Sequence, residues 1–99
     1  MAIQRNNPDV LANPPGYSHV VKDGTTVYVA GQLARDSDGK PVGEDDFAAQ
    51  AEQAFKNVQA ALESAGTDMN HILKMNVFMT HREDIPENRV ITVSYTHLT

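Results

Sequence analysis

From about Asp46 to Ala65, apolar side chains recur at spacings of three and four: Phe47, Ala51, Ala54, Phe55, Val58, Ala61, Leu62 and Ala65. That period belongs to one helix with one buried face. In a chain of 99 residues, such a helix commits the fold, because its stripe needs a partner surface along its whole length. The alanines in the stripe allow close packing onto a sheet. Asp45 or Asp46 suits the N-cap, and Gly66 suits the left-handed position after the last turn.

The partner sheet is visible upstream. Ser18–Lys22 and Thr25–Gln32 are extended runs separated by Asp23-Gly24, a dipeptide that predicts a two-residue type I′ hairpin turn. The run from Val27 to Leu33 alternates like a half-buried strand and meets Gly31 near its end. Glycine there marks a bulge or a close approach by another backbone or a ligand. Met1–Gly16 is rich in Asn and Pro and predicts an arm with at most a short edge strand. His71–Thr80 predicts a further strand. Leu73, Met75, Val77 and Met79 would face the helix. The opposite face, with Lys74, Asn76 and Phe78, is mixed and suits a subunit interface or a wet cavity, an interface better than an active site. If the strands are parallel, the strand–helix–strand order implies a right-handed crossover. Asp84-Ile85-Pro86-Glu87 looks like a helix start, but Val90-Ile91-Thr92-Val93 is β-branched and predicts extended backbone.

Composition narrows the function classes. The length fits a single domain. Without cysteine there is no disulfide, thiolate metal site or cysteine nucleophile. The net charge is −5 and the basic residues are scattered, so nucleic acid is not expected as a partner. No apolar run is long enough to span a bilayer, so no membrane partner is expected, and the cytoplasm is the expected compartment. His19, His71, His81 and His97 lack metal-ligand spacing, so no metal is expected. His19 reads as a surface hairpin residue, Asn57 as a solvent or capping contact, and Arg35 and Arg82 as solvated loop charges.

Taken in order, these pieces resemble the reactive intermediate deaminase family (RidA, also called YjgF). The resemblance is carried by Pro15-Gly16-Tyr17-Ser18-His19, by Ala30-Gly31-Gln32, by Gln50, Asn57 and Ala65-Gly66 on the helix, and by Val77-Phe78-Met79-Thr80. It covers roughly Asn13 to Asn88. It implies an α+β, chorismate-mutase-like domain: a mixed β-sheet with helices packed on one face, assembled as a homotrimer with clefts between subunits. It also implies hydrolysis of reactive 2-imino and 2-enamino acids to 2-oxo acids and ammonia, with a small-molecule substrate and no cofactor. In such a site an arginine clamps the substrate carboxylate, backbone groups hold the reacting end, and a carboxylate orients or deprotonates water. Tyr17 and Gly31 match the family's substrate-binding tyrosine and strand glycine.

The chain also departs from the pattern. Ala30 replaces the usual hydroxyl residue. Arg89 stands where the second helix of the family carries asparagine, or Asn88 does if the register slips by one. Two further strands, bringing the clamping arginine and the water-positioning glutamate, are expected and not found, so no catalytic residue is assigned. The sequence therefore predicts a single incomplete domain over 1–99 with a non-matching tail at 90–99, as from a truncation or frameshift near Val90. The last strands are expected to be missing, leaving unpaired sheet edges. The candidate substrate-binding residues are Tyr17, Ala30, Gly31 and Arg89. The alternative to a deaminase is a non-enzymatic relative that binds a metabolite or protein partner in the inter-subunit cleft.

Overall fold

The computed structural model describes the backbone of residues 3–96 and the side chains of residues 3–92. Strands β1 (Ile3–Asn6), β2 (Val20–Asp23) and β3 (Thr26–Val29) form an antiparallel sheet in that order. Helix α1 (Phe47–Ser64) follows, then short 3-10 turns at Met69–His71 and Arg82–Asp84, then helix α2 (Ile85–Thr96). The fold is α+β.

The hairpin forms with a different turn from the expected one. Val20 pairs with Val29 and Asp23 with Thr26, so the two loop residues are Gly24 and Thr25. Of these two, only Gly24 has positive φ, at 61°. Positive φ at the first position alone is the II′ pattern, which takes glycine there. Asp23 is thus the last residue of β2 rather than part of the turn.

The ladder has a defined phase. Ala30 N–H donates to the His19 carbonyl at 2.9 Å. In an antiparallel pair, alternate residues exchange both hydrogen bonds with their neighbour. The backbone groups of Tyr28 and the Ala30 N–H therefore face β2, whereas the backbone groups of Val27 and Val29 point the other way. No strand lies on that side among the described residues.

Helix α1 matches its sequence signals closely. The Asp46 side chain accepts from the Ala49 N–H at the N-terminus. At the C-terminus Gly66 has φ 85°, and the N–H groups of Gly66 and Thr67 donate to Glu63 and Leu62 carbonyls. That pair of bonds is a Schellman cap. The apolar stripe divides between two clusters. Ala61 and Ala65 pack with Leu11 and the fully buried Val20, while Ala51, Phe55 and Leu62 pack with Met69 and Ile91. Val27 and Val29 touch both clusters.

Three expectations fail for identifiable reasons. Residues 71–80 are not a strand: among the described residues no hydrogen bond reaches the backbone of Ile72–Met79. With no neighbour to impose a pleat, the alternation lapses. Ile72 and Met75 pack on the core, while Leu73 and Phe78 are 99% and 92% exposed. Residues 90–93 are helical instead of extended. Ile91 is buried against the α1 cluster, and this packing outweighs β-branched helix penalties of only a few tenths of a kcal/mol each. Asn57 is buried rather than solvated. Its Nδ2 donates to the Leu33 and Arg35 carbonyls at 2.9 and 3.0 Å, and its Oδ1 accepts from Gln53.

The Asn57 clasp holds the chain leaving β3 against α1. Asn57→Ala should destabilise the protein by about 1–3 kcal/mol, read from the urea unfolding midpoint. Asn57→Asp should cost more, because a carboxylate would then face two carbonyl oxygens. A second test concerns Asp68, whose side chain bonds His71 Nδ1 at 2.8 Å and accepts from the Asn70 N–H. The His71 hydrogen bond, then the Asn70 one, holds the Asp68 carboxyl below its ordinary value. A lowered carboxylate stabilises above its unfolded pKa, and that contribution is lost as pH falls through the folded one. An NMR titration should therefore show Asp68 ionising at lower pH than in an unfolded peptide, with the 3-10 turn loosening as it protonates.

Candidate functional site

The outward edge of β3 and the unpaired segment Ile72–Met79 form two walls of one groove. Its floor is formed by residues of the α1 stripe, among them Ala51, Ala54, Phe55, Val58 and Leu62. The cavity volume is about 1320 Å³. Small-molecule pockets usually fall at about 300–1,000 Å³.

The groove is apolar along its floor and cationic at its walls. Lys22 and Lys74 line it, and among the described residues no aspartate or glutamate does, although the chain as a whole carries −5. Lys22 Nζ also donates to the Ala65 carbonyl at 3.2 Å. Such a lining favours an anionic or carboxylate-bearing ligand and offers no carboxylate to act as a base. Among the described residues, no three His, Cys, Asp or Glu side chains converge as a metal site would require.

Ala30 and Gly31 lie on the β3 wall. Gly31 has no positive φ, and a Cβ built there would meet no atom within 4 Å. The close approach expected at this glycine is thus not made within the described chain, and the space beside it is open. Tyr17 is half exposed and lies outside the groove lining. Its ring stands edge-on to His19, with centroids 5.6 Å apart at 81°. Arg89 is exposed and is not part of the groove, whereas its neighbour Asn88 is. Successive helical residues point about 100° apart, so one faces the groove and the other turns away. The structure therefore brings together Ala30, Gly31 and Asn88, places Tyr17 behind them, and separates Arg89.

A buried histidine links Tyr17 to the groove. His19 is 5% exposed, not a surface residue as expected. Its Nε2 lies 2.6 Å from the Ala12 carbonyl, and its Nδ1 lies 3.1 Å from Gln32 Nε2. A carbonyl only accepts, so Nε2 carries the proton. The Gln32 amide donates to both Nδ1 and the Ala30 carbonyl, so Nδ1 is the acceptor. Gln32 itself lines the groove. The contact fixes the chain around Ala30–Gly31 and also orients Tyr17.

Sequence reasoning missed His19, Gln32 and Asn57 as a positioning set. One signal was available. Asn57 sits three residues after Ala54 and four before Ala61, which places a polar amide on the buried stripe. Such a group needs partners. Nothing comparable marks His19, because its partner Ala12 lies in the irregular arm.

A sequence profile of the family described as Endoribonuclease L-PSP matches residues 7–98. Protein MMF1, mitochondrial, of Saccharomyces cerevisiae is 32% identical over 81 residues, covering 82% of this chain and 55% of that protein. A 2-iminobutanoate/2-iminopropanoate deaminase of Dermatophagoides farinae is 33% identical over 70 residues, covering 71% of this chain and 55% of that protein. The chain thus spans little more than half the length of these relatives. The crystal structure of yeast Mmf1 superposes with a TM-score of 0.90 at 26% identity, over 98% of this chain and 78% of that one. The structure of RidA from Psychrobacter sp. PAMC 21119 does so with a TM-score of 0.85 at 35% identity, over 97% and 76%.

The His19 assignment has a direct check. A long-range nitrogen–proton NMR correlation at neutral pH should show the ring proton on Nε2. A proton on Nδ1 would mean that the Gln32 contact is broken in solution.

Proposed function

The chain belongs to the RidA/YjgF family, whose profile is described as Endoribonuclease L-PSP, and on that footing we propose that it supplies one wall of a site for small imino and enamino carboxylates. In the reaction proposed for the whole protein, water adds to the electrophilic C=N carbon. The resulting carbinolamine expels ammonia and leaves a 2-oxo acid. Such a carbon needs its water positioned more than activated. The part assigned to this chain is to hold the reacting end in the open space beside Gly31, with Lys22 and Lys74 attracting the carboxylate.

The observation that carries this reading is the open space beside Gly31, next to the outward-facing backbone groups of Val27 and Val29. The bidentate arginine clamp and the water-orienting carboxylate, implied by the family resemblance, would come from outside the described residues. A homotrimer with the site shared between subunits, working in the cytoplasm, belongs to the same proposal. A groove without a carboxylate favours a second reading for the chain as given: it binds a metabolite or protein partner without turning anything over.

The two readings separate in one assay. With freshly generated 2-iminopropanoate, the deaminase reading expects release of ammonia and 2-oxo acid several-fold faster than the spontaneous rate. Gly31→Val, which fills the space beside the backbone, should abolish that acceleration while the circular dichroism spectrum is retained. A wild-type rate equal to the spontaneous one would reject turnover by this chain.

A further inference from the structure

We propose that His19 is a proton-sensitive positioning residue. When neutral it locks the Gln32 amide onto the Ala30 carbonyl and keeps the Ala30–Gly31 wall of the groove formed. When its ring takes up a second proton, it releases that wall. This deepens the reading above and rests on it for the ligand, whereas the coupling of ring to wall stands on the hydrogen bonds alone.

The Ala30 carbonyl depends on Gln32. The His19 N–H, which would meet it across the ladder, donates instead to Asn7 Oδ1 at 2.8 Å. The carbonyl accepts from Gln32 Nε2 at 3.1 Å. The same nitrogen donates its other hydrogen to His19 Nδ1, also at 3.1 Å. The far side of the ring is tied as well, with Nε2 donating to the Ala12 carbonyl at 2.6 Å. His19 is 5% exposed, so these contacts are made away from bulk water.

A proton on Nδ1 leaves this set impossible to satisfy. Both ring nitrogens are then donors. With the amide as it stands, Nδ1–H faces the Gln32 NH2, donor against donor. Turning the amide over brings Oε1 to Nδ1–H, but the same oxygen then faces the Ala30 carbonyl, acceptor against acceptor. Either way one buried polar contact becomes repulsive, and the chain at Ala30–Gln32 shifts to relieve it.

No charged side chain stands in for the lost contact. Tyr17, from the turn before β2, presents its ring edge-on. The arm brings Asn7 and Ala12, with Asp9 on the small cavity that all three line. On β2, the Lys22 ammonium is directed to the Ala65 carbonyl. After β3, the Arg35 guanidinium donates to the Gly39 carbonyl. Helix α1 meets Val20 through Ala61 and Ala65, which carry no charge. Among the described residues, none of these charged groups hydrogen-bonds or ion-pairs with the ring.

The test is an NMR titration of the whole chain from about pH 8 to about pH 5, the range in which histidine ordinarily changes charge. The His19 ring, the Gln32 side-chain amide and the Gly31 backbone amide should move with one shared midpoint. His19→Gln keeps a donor for Ala12 and takes up no proton, so it should remove the step at Gly31. Gln32→Leu should leave the His19 ring titrating while the Gly31 step disappears. The ligand readout uses pyruvate, an anion throughout this range. Its affinity for the unaltered chain should fall several-fold through the same midpoint, and should not fall there in His19→Gln. His71 also lines the groove but is present in both chains, so the difference between them belongs to His19. If pyruvate binds at no pH, the ligand reading fails, and the shared midpoint still decides the coupling. That midpoint is read in the unaltered chain, so it stands whether or not the variants fold. A Gly31 step that persists in either folded variant would overturn the proposal. So would a His19 midpoint that Gly31 and Gln32 do not share, or pyruvate binding that does not weaken through it.

Discussion

The apolar stripe of α1 must be covered, and the rest of the fold is arranged by how far that cover reaches. The hairpin covers one flank through Val20, and α2 covers another through Ile91. Each large apolar side chain removed from water contributes about 1.5–3 kcal/mol, so this burial outweighs local preference wherever the two conflict. It draws the β-branched Val90–Val93 run into a helix. It also leaves residues 72–80 without a ladder, because the strand edge nearest to them is separated from them by the groove.

Where the sequence was legible, the reason is local. The α1 limits followed from period, an acidic cap and a glycine with a left-handed backbone, all within the helix itself. The hairpin was legible for the same reason, although its turn is shifted by one residue. What was not legible depends on partners distant in sequence. Residues 71–80 alternate like a strand, yet alternation specifies a strand only when a neighbour pairs with it. Asn57 reads as an ordinary helix amide until the loop at Leu33–Arg35 folds back over it. His19 reads as exposed until the arm brings Ala12 to its ring.

The candidate site follows the same division. Gly31 is legible because a glycine interrupts an alternating strand, and Ala30 through the family motif around it; both lie on the groove wall. Tyr17 was found through its surrounding motif and sits behind that wall, joined to it by His19 and Gln32. Arg89 was placed by register along a helix. A slip of one residue there turns a side chain by about 100°, and Asn88 takes the groove position. His19, Gln32 and Asn57 act together on the backbone. They hold the chain after β3 in place, so that the outward backbone edge stays presented.

The central claim is that β3 has one paired edge and one open edge. Hydrogen exchange of the backbone amides in the free, dilute chain tests it residue by residue. The account predicts slow exchange at Tyr28 and Ala30, whose N–H groups face β2, and exchange at least tenfold faster at Val27 and Val29, whose N–H groups face the groove. Equal protection at all four positions would contradict it, because the β3 edge would then already be covered.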